Sequence, residues 1–458
     1  MRVLKFGGTS MGDEHTWRRV LQIIKKYEQP VVVVSATART TRQLVAAAEL
    51  APLDFGRASS MAIEIKDRHR LLIRNFLDHT ENQAMETKEG RKLSEECIKW
   101  IEDQTDTLID LLNQIAEEGR LKPSLKDAVA GIGEQLSSRL FSYCGAAFGL
   151  KTTWVDARAV IKTDSNFGNA NPNVSLVEEN SKEIARITEN GMIPVMGGYI
   201  GQDAEGAATT LGFEGSDFSA SLLGSALNAE AIEIWTDVSG IYTCDPRVVD
   251  EAFPIRQLSF QEATEMAYFG AKVLHPSTMN PAEEKQIPIL VKNIFEPDQP
   301  GTVISGEADK EGHARAITFL KDVSILTVTS PHTRMGYDFL SGIFEMLKQY
   351  RLSVNVVTTT EASISLALAS EQIGGDLIDA MEQLGEVSRK DDHGIISLIG
   401  SCFESASKIR DRVLDALPET HPTMISYSSD KRNLNIVLPE EELVPSVRAI
   451  HGKLFGNE

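Results

Sequence analysis

Apolar positions along residues 1–296 follow two spacings. Short continuous apolar runs alternate with stretches in which apolar side chains return at every third or fourth position. A short apolar run bounded by glycine or polar residues predicts a buried strand, and the longer spacing predicts a helix with one buried face. The predicted strands are Val3–Lys5, Val31–Val34, Val129–Ile132, Thr152–Val155, Ile193–Met196, Ile232–Trp235 and Ile289–Val291. Their alternation with helices predicts a layered α/β domain with a largely parallel sheet.

The helical segments add detail to this prediction. The first predicted helix has its apolar face from Trp17 to Ile24, and the hydroxyl residues that follow the first glycine pair are placed to cap it. Two long helical stretches between residues 58 and 118 predict an excursion from the sheet. Ser259–Glu262 is a capping box that starts a later helix. We interpret the apolar stripes of all these helices as core packing.

The pattern changes after residue 296. Residues 297–312 combine proline, glycine and charge and are predicted to be a linker. Beyond them, strand and helix patterns occur twice in the same order, which predicts two α+β modules of βαββαβ type at residues 313–392 and 393–458. The same periodicity also fits two small packing domains that bind no ligand.

Composition restricts the class of partner. The 458 residues are 42% hydrophobic and 24% charged, as in ordinary globular proteins, and carry a net charge of −20. This excess of negative charge argues against nucleic acid and against an anionic membrane as partners. Four scattered cysteines, the lack of an opening signal peptide and the lack of an apolar run of about 18 residues predict a cytoplasmic protein with reduced thiols.

Two glycine-rich turns carry candidate phosphate-binding chemistry. Lys5 ends the first predicted strand and precedes the pair Gly7-Gly8 and a helix. Such a turn directs backbone N–H groups and a helix N-terminus outward, which suits a phosphate, and the lysine adds positive charge. The second turn, Gly212–Asp217, enters a helix predicted at Phe218–Leu227. Asp217 either caps that helix or organises charge near a phosphate.

Small or ionisable residues follow six of the predicted strands. In open α/β sheets, ligands bind at the carboxyl ends of the strands. Each such residue alone is more often a turn residue or a helix cap, but six of these ends on one sheet edge favour a binding site. Besides the opening strand, the ends carry Ser35 and Thr41, Gly133 and Glu134, Asp156, Gly197 and Gly198, and Thr236 and Asp237. The sequence contains neither the P-loop pattern nor the protein-kinase signatures.

Five segments of the chain resemble the aspartate kinases, in the order and spacing of that family. They are Lys5–Ser10, Gly133–Ser138, Ser216–Asp217, Trp235–Arg247 and Phe269–Pro276. The resemblance covers essentially the whole chain and is to the monofunctional form, without a fused homoserine dehydrogenase. It implies the layered amino acid kinase fold followed by two ACT modules. The implied activity is ATP-dependent phosphorylation of the L-aspartate β-carboxylate to 4-phospho-L-aspartate, the first step toward lysine, threonine and methionine.

The resemblance also implies roles for individual residues. The catalytic residues would be Lys5 and Asp217. ATP, which would arrive with Mg²⁺ and need few or no protein ligands for the metal, would be bound by Gly7, Gly8, Ser10, Thr236, Asp237, Tyr242, Arg247, Lys272 and Val273. Aspartate would be bound by Ser35, Thr41, Glu134 and Ser216, with Glu134 on its α-ammonium group.

The chain departs from the family pattern at two places beside the expected aspartate pocket. Relatives usually have Arg-Gly where this chain has Phe213 and Glu214, and they usually have glycine and asparagine where it has Arg39 and Arg42. The usual arginine would grip the α-carboxylate of the substrate, and a neutral residue cannot replace that bidentate contact. We hypothesise that Arg39 or Arg42 supplies the lost charge. The alternative is that both point to solvent and that Arg158 or backbone N–H groups suffice.

Val354–Glu361 resembles the strand that binds an amino acid effector in the first ACT module. Asn355, Thr360 and Glu361 would bind lysine or threonine, and the modules would join a homodimer or homotetramer. Relatives often carry an acidic residue at the position of Asn355, so threonine stays as open as lysine. The alternative is an ordinary edge strand. Two other functions also stay open: a related kinase acting on a different small acid, and an amino acid sensor without activity.

Overall fold

The protein divides into two compact units. The structure, a computed structural model, describes residues 1–78, 88–271, 274–306, 314–331, 336–400, 406–417, 421–428 and 432–456. The first unit consists of Met1–Ile241 and Leu274–Gly306, and the second of Tyr242–Val273 and Glu307–Glu458. This division differs from the predicted catalytic domain of residues 1–296, because residues 242–273 group with the second unit.

Helices and strands alternate along most of the chain. The helices of the described residues are α1 (Glu14–Ile24), α2 (Thr40–Leu50), α3 (Phe55–Asp78), α4 (Lys88–Glu118), α5 (Pro123–Ala147), α6 (Ala157–Val160), α7 (Val174–Glu189), α8 (Gly215–Ala226), α9 (Phe260–Tyr268), α10 (Pro276–Glu284), α11 (Tyr337–Gln349), α12 (Gly375–Glu382), α13 (Ala406–Ala416) and α14 (Glu440–Phe455). The strands are β1 (Arg2–Phe6), β2 (Pro30–Val34), β3 (Thr152–Val155), β4 (Ile193–Gly197), β5 (Ile200–Gln202), β6 (Ala208–Thr210), β7 (Ala231–Thr236), β8 (Gln257–Ser259), β9 (Ile289–Asn293), β10 (Thr302–Ser305), β11 (Ala314–Thr329), β12 (Val356–Thr359), β13 (Ser363–Ala369), β14 (Glu386–Gly400), β15 (Met424–Tyr427) and β16 (Asn433–Pro439).

A largely parallel sheet forms the centre of the first unit. Its strands lie in the order β3-β4-β2-β1-β7-β9-β10, and the neighbours are parallel except for β9 and β10. β2 is a proline followed by four valines and is buried at every position, as expected where helices cover both faces of a parallel sheet. The predicted α/β class is confirmed.

The helices of the first unit meet in an aromatic cluster. Trp17 of α1 contacts Phe76 of α3 and Phe141 of α5, with ring centroids 6.5 Å and 5.3 Å apart. The prediction that hydroxyl residues of the glycine turn cap α1 is wrong, because Asp13 accepts the N–H of Thr16 at 2.8 Å. The N–H of Met11 returns to the glycine turn, so that turn closes before the helix begins.

One predicted strand is a helix. Val129–Ile132 lies in the middle of α5, so Gly133 and Glu134 stand inside a helix and not at a strand end. The residues from Val129 to Ser138 are all buried. A helix that is buried on every side has no polar face, and its sequence therefore lacks the apolar–polar alternation that identifies a helix.

An antiparallel sheet forms the centre of the second unit, in the order β12-β13-β11-β14-β16-β15. The two central strands are long and pair in two parts: residues 323–329 with 386–393, and residues 314–320 with 395–400. The predicted boundary between residues 392 and 393 thus falls inside β14. Residues 314–320, which the prediction assigns to the first module, pair with the part of β14 that opens the second.

Two smaller predictions have mixed outcomes. The capping box of Ser259 and Glu262 starts α9, as predicted. The predicted linker contains β10, which pairs with β9 in the first unit, and its residues 307–312 lie outside the described residues.

Two observations bear on thiols and membranes. Cys97, Cys144 and Cys244 are buried free thiols, and burial raises the pKa of Cys97 and Cys244 to about 12. Cys402 lies outside the described residues. Among the helices that the structure describes, none has both the length and the apolar composition needed to cross a bilayer.

Candidate active site

A cavity of about 790 Å³ lies in the first unit at the carboxyl ends of β1 and β2. Its wall consists of the end of β1, the loop from β2 into α2, the middle of α5 and the turn into α8. The predicted site residues that line it are Lys5, Gly8, Ser35, Arg39, Thr41, Arg42, Glu134, Ser216 and Asp217. The cavity therefore lies at the sheet edge that the sequence indicated, although Glu134 reaches it from a helix.

Lys5 and Asp217 form a buried ion pair in this wall. Lys5 Nζ lies 2.6 Å from Asp217 Oδ1, and each residue is only 7% exposed. Asp217 stands in the first turn of α8, where Glu214 occupies the N-cap position, so Asp217 is not the cap. Its carboxylate therefore holds the lysine at a fixed place beside the glycine turn.

The two glycines of that turn have different surroundings. The N–H of Gly7 donates to the carbonyl oxygen of Trp235 at 3.3 Å, and Gly7 is not among the residues that line the cavity. Gly8 does line it. The prediction that both N–H groups face a phosphate therefore needs correction, since the one on Gly7 is used by the neighbouring strand.

Ser10 is also used internally. It is fully buried, and its hydroxyl donates to the same Trp235 carbonyl oxygen at 3.3 Å. The segment Gly8–Gly12 has the G-x-S-x-G spacing of a hydrolase nucleophile elbow, which requires an exposed serine. Ser10 is buried, so it fits neither a nucleophile nor the predicted direct contact with a nucleotide.

Glu134 is a buried carboxylate with spare hydrogen-bonding capacity. It is 3% exposed, and its Oε1 accepts the N–H of Ala36 at 3.2 Å. Its Oε2 has no partner among the described residues. Burial raises the pKa of Glu134 to about 8. An ammonium group entering the cavity would restore the charge of this carboxylate.

The turn into α8 carries no cation. Phe213 is 79% exposed, and its ring meets the ring of His275 edge-on at 6.2 Å. Glu214 has a left-handed backbone, with φ of 54°, and its carboxylate accepts the N–H of His275. Burial and the nearby charge of Asp217 raise the pKa of Glu214. This turn therefore offers no positive charge to pair with a carboxylate of the substrate.

Two arginines line the cavity at the N-terminus of α2. Arg39 is the N-cap residue of α2, with φ of 69°, and Arg42 stands in the first turn. Both side chains are exposed, and neither guanidinium group has a hydrogen-bond or ion-pair partner among the described residues. Arg158, the predicted alternative, is held by the carboxylate of Asp156 at 2.7 Å and does not line the cavity.

Sequence reasoning missed Asp127. This buried carboxylate accepts the N–H groups of Gly168 and Thr210, each at 2.8 Å, and the Thr210 hydroxyl at 2.9 Å. Gly168 lines the cavity, so Asp127 fixes part of its wall. Asp127 precedes Glu134 by two turns of α5, and two acids on one face of an apolar helix are a detectable signal. Assigning this segment to a strand concealed that signal.

The predicted nucleotide residues lie in different parts of the chain. Thr236 ends β7, beside β1 in the sheet, and its hydroxyl donates to the carboxylate of Asp237 at 3.1 Å. Tyr242 and Arg247 belong to the second unit, where the guanidinium of Arg247 is paired with Asp245 at 2.7 Å. Lys272 and Val273 lie outside the described residues.

The predicted effector residues lie at an edge of the second sheet. The N–H of Asn355 donates to the Ala367 carbonyl oxygen at 3.0 Å. The hydroxyls of Thr360 and Ser363 lie 2.8 Å apart in the turn after β12, and Glu361 is exposed. β12 is an edge strand of its sheet, and so the alternative of an ordinary edge strand stays open.

Comparison with known proteins identifies the family of this chain. The amino acid kinase family matches residues 1–293. The chain is 32% identical to lysine-sensitive aspartokinase 3 of Escherichia coli (99% of each chain covered) and 34% identical to aspartokinase 2 of Arabidopsis thaliana (99% of this chain, 84% of the other). The crystal structure of E. coli aspartokinase III with aspartate and ADP superposes with a TM-score of 0.83 at 31% identity, over 99% of this chain and 100% of that one. This chain belongs to the aspartokinases of the amino acid kinase family.

Proposed function

We propose that this protein transfers the γ-phosphoryl group of ATP to the β-carboxylate of L-aspartate. The observation that carries the proposal is the buried pair of Lys5 and Asp217, which faces the same cavity as the buried carboxylate of Glu134. Phosphoryl transfer depends on positioning and on neutralising phosphate charge. A fixed lysine meets that need, and a buried carboxylate suits the substrate ammonium group.

In this reaction, a β-carboxylate oxygen of aspartate attacks the γ-phosphorus. The bond from that phosphorus to the bridging oxygen breaks, and ADP leaves with the electron pair. The substrate carboxylate is itself the nucleophile, so the protein has only to orient it. Lys5 and the N–H of Gly8 would stabilise the charge on the transferred group, with Asp217 holding Lys5 in place.

Three contacts would set the orientation of aspartate. Glu134 would bind the α-ammonium group, and Arg39 or Arg42 would bind the α-carboxylate at the N-terminus of α2. The β-carboxylate would then be directed toward Lys5, with Ser35, Thr41 and Ser216 as neighbouring donors in the wall.

Mg²⁺ would accompany ATP and neutralise phosphate charge. The described residues contain no group of three or more His, Cys, Asp or Glu side chains that could hold a metal ion, and Asp217 is paired with Lys5. We therefore assign the ligands of the ion to phosphate oxygens and water, which is a common arrangement for Mg²⁺.

The finer parts of the proposal concern the nucleotide, regulation and assembly. Thr236 and Asp237 would bind ATP, and the same role stays predicted for Tyr242, Arg247, Lys272 and Val273. Lysine is the first effector to test because the E. coli relative is named lysine-sensitive, and threonine is the second. The effector would bind at Asn355, Thr360 and Glu361. A homodimer or homotetramer would form through the modules, and the product would serve lysine, threonine and methionine synthesis.

Release of ADP in the presence of L-aspartate tests the proposal. We expect turnover with L-aspartate and far less with L-glutamate, N-acetyl-L-glutamate or carbamate. Hydroxylamine should trap the product as a hydroxamate, because it attacks acyl phosphates. Turnover with another acid alone would make the protein a different kinase of this fold. The absence of turnover with any of them would indicate an amino acid sensor.

A further inference from the structure

Directly behind the arginine-bearing wall of the cavity lies a series of hydrogen-bonded side chains: His69, Thr37, Thr40 and Arg68. His69 of α3 is 1% exposed, with Nδ1 2.7 Å from the Ile65 carbonyl oxygen and Nε2 3.0 Å from the Thr37 hydroxyl. The Thr37 hydroxyl lies 2.5 Å from that of Thr40, to which Arg68 donates at 2.6 Å. Thr37 lines the cavity, and Thr40 is the first residue of α2.

The chemistry of these groups gives the hydrogen bonds of the series one direction of donation. A carbonyl oxygen only accepts, so Nδ1 of His69 carries the proton. Burial lowers the pKa of His69 to about 4, so the ring is neutral and Nε2 accepts. Thr37 therefore donates to His69, Thr40 donates to Thr37, and Arg68 donates to Thr40. Each of the two threonine hydroxyl protons in the series has one acceptor, so the two hydroxyl groups have a single hydrogen-bonding arrangement.

This hydrogen-bonded series supports a strained segment of backbone. Arg39 lies between Thr37 and Thr40 with φ of 69°, a strained conformation for a non-glycine residue, which persists only where the surrounding structure enforces it. Arg68 also lies close enough to Arg39 for the charge of Arg39 to add to burial in lowering the pKa of Arg68. Two neighbouring guanidinium groups repel each other, and a bound carboxylate relieves that repulsion.

We propose that His69 is a positioning residue for substrate binding, which acts through Thr37 and Thr40 to hold Arg39 at the cavity. His69 lies behind the wall and touches no substrate. This inference rests on the proposed function, because it assumes that the arginine-bearing wall binds the α-carboxylate of aspartate. The guanidinium groups of Arg39 and Arg42 at the cavity indicate the class of ligand, a small carboxylate anion.

The test compares four variants with the wild-type protein. Thr37→Val and His69→Leu interrupt the hydrogen-bonded series, whereas His69→Gln keeps an acceptor for Thr37. Thr105→Val is the control, because the hydroxyl of Thr105 is buried and donates only to the carbonyl oxygen of Ile101. We expect the two breaking variants to raise the aspartate KM about tenfold, the loss of one well-placed hydrogen bond to a charged group, with the ATP KM unchanged. His69→Gln and Thr105→Val should stay close to wild type.

Amide hydrogen exchange gives a readout that needs no substrate. Exchange over residues 35–43 should be faster in Thr37→Val and His69→Leu than in wild type and Thr105→Val. The proposal is overturned if the breaking variants fold with unchanged aspartate KM and unchanged exchange, or if His69→Gln is as impaired as His69→Leu. Failure of the wild-type protein to use L-aspartate would instead refute the proposed function, and the exchange data would still decide the role of His69.

Discussion

At the residue scale, Lys5 and Glu134 are both buried at the cavity but differ in how their charges are balanced. Lys5 has a carboxylate of the protein 2.6 Å away. Glu134 has a backbone N–H and no cation among the described residues. A buried charge without a partner is costly, and so Glu134 holds a proton at neutral pH until a positively charged group arrives. Lys5 is thus ready for an anion, whereas Glu134 is ready for a cation.

The first prediction concerns Lys5. Its charge should act mainly on the transition state, so Lys5→Ala should lower kcat by a factor on the order of 10² or more with nucleotide binding largely intact. ADP release and nucleotide titration measure the two quantities. The control is Lys126→Ala, which removes a lysine paired with Glu49 at 2.9 Å on the surface and should leave both unchanged. Near-normal turnover in Lys5→Ala would remove Lys5 from the mechanism.

The second prediction concerns the pH dependence that Glu134 imposes. With a pKa of about 8, the carboxyl must lose a proton to bind the substrate ammonium group. The aspartate KM should therefore fall as the pH rises from about 6 to 8, by up to tenfold per unit, and then level off. The ATP KM should not follow. Glu134→Gln should raise the aspartate KM and flatten its pH profile, and an unaltered profile in this variant would contradict the assignment.

The same shift affects stability. The pKa of Glu134 is raised from its ordinary 4.5 to about 8 on folding, so between these values the folded state binds one more proton than the unfolded state. The free energy of unfolding of the substrate-free protein should therefore fall, through this group, as the pH rises from about 4.5 to 8.

The third prediction concerns Arg39 and Arg42. If one of them binds the α-carboxylate, its replacement by alanine should raise the aspartate KM about tenfold or more, because a charged hydrogen bond contributes about 1.5–3 kcal/mol. The ATP KM should not change. Arg158→Ala is the control, since Arg158 is engaged by Asp156 away from the cavity. An unchanged aspartate KM in both single variants and in the double variant would rule the assignment out.

At the element scale, the close approach of α5 to the loop after β2 places Glu134 in the cavity. A Cβ on Gly133 would lie 2.9 Å from the Cβ of Ala36 and 3.3 Å from a methyl carbon of Leu44. Only glycine allows this separation without displacing either element. The hydrogen bond between Ala36 and Glu134 depends on the same contact.

The fourth prediction tests this contact. Gly133→Ala should lower the free energy of unfolding by about 1–3 kcal/mol, as overpacking does, and should raise the aspartate KM because Glu134 moves with α5. The control is Gly56→Ala in α3, where an added Cβ meets only a carboxylate oxygen of Asp54 at 3.5 Å. That change should be neutral or slightly stabilising. Equal thermal midpoints for the two variants would contradict the packing argument.

At the scale of the whole molecule, the two C-terminal modules are joined by shared strands. β11 and β14 each contribute one half to either module, so the sheet of the second module includes residues 314–320, which come before the strands of the first module in the chain. Residues 242–273 belong to the second unit and contact both modules. The Thr243 hydroxyl lies 3.0 Å from His451 Nε2, and the Tyr268 hydroxyl donates to the Val354 carbonyl oxygen at 2.8 Å. Tyr268 thus contacts the residue beside Asn355.

The fifth prediction concerns the effector. Lysine or threonine should raise the thermal midpoint and inhibit turnover, and by reciprocity aspartate binding should change the effector affinity by the same factor. Asn355→Asp should shift the preference toward lysine by adding a negative charge for its side-chain ammonium group. Glycine serves as the control ligand. If neither lysine nor threonine changes activity or the thermal midpoint, the effector site is refuted.

The sequence by itself determined the features that depend on neighbouring residues. β1, β2, β3 and β4 lie where short apolar runs predicted them, since each run is bounded by residues that end a strand. The glycine turn after Lys5 and the capping box of α9 were also readable, because both depend on contacts within a few residues. The order of the segments in the chain was enough to identify the family.

Only the tertiary structure decided the features that depend on distant parts of the chain. Burial on all sides hid the helical character of α5, and with it the place of Glu134. Three sets of contacts join residues from separate elements, and no local pattern marks them: the pair of Lys5 and Asp217, the hydrogen bonds of Asp127, and the hydrogen-bonded series that includes His69 and Thr37. The sharing of β11 and β14 between modules is a matter of strand pairing, which periodicity along the chain cannot specify because it indicates which side chains are buried and not which strand lies beside which.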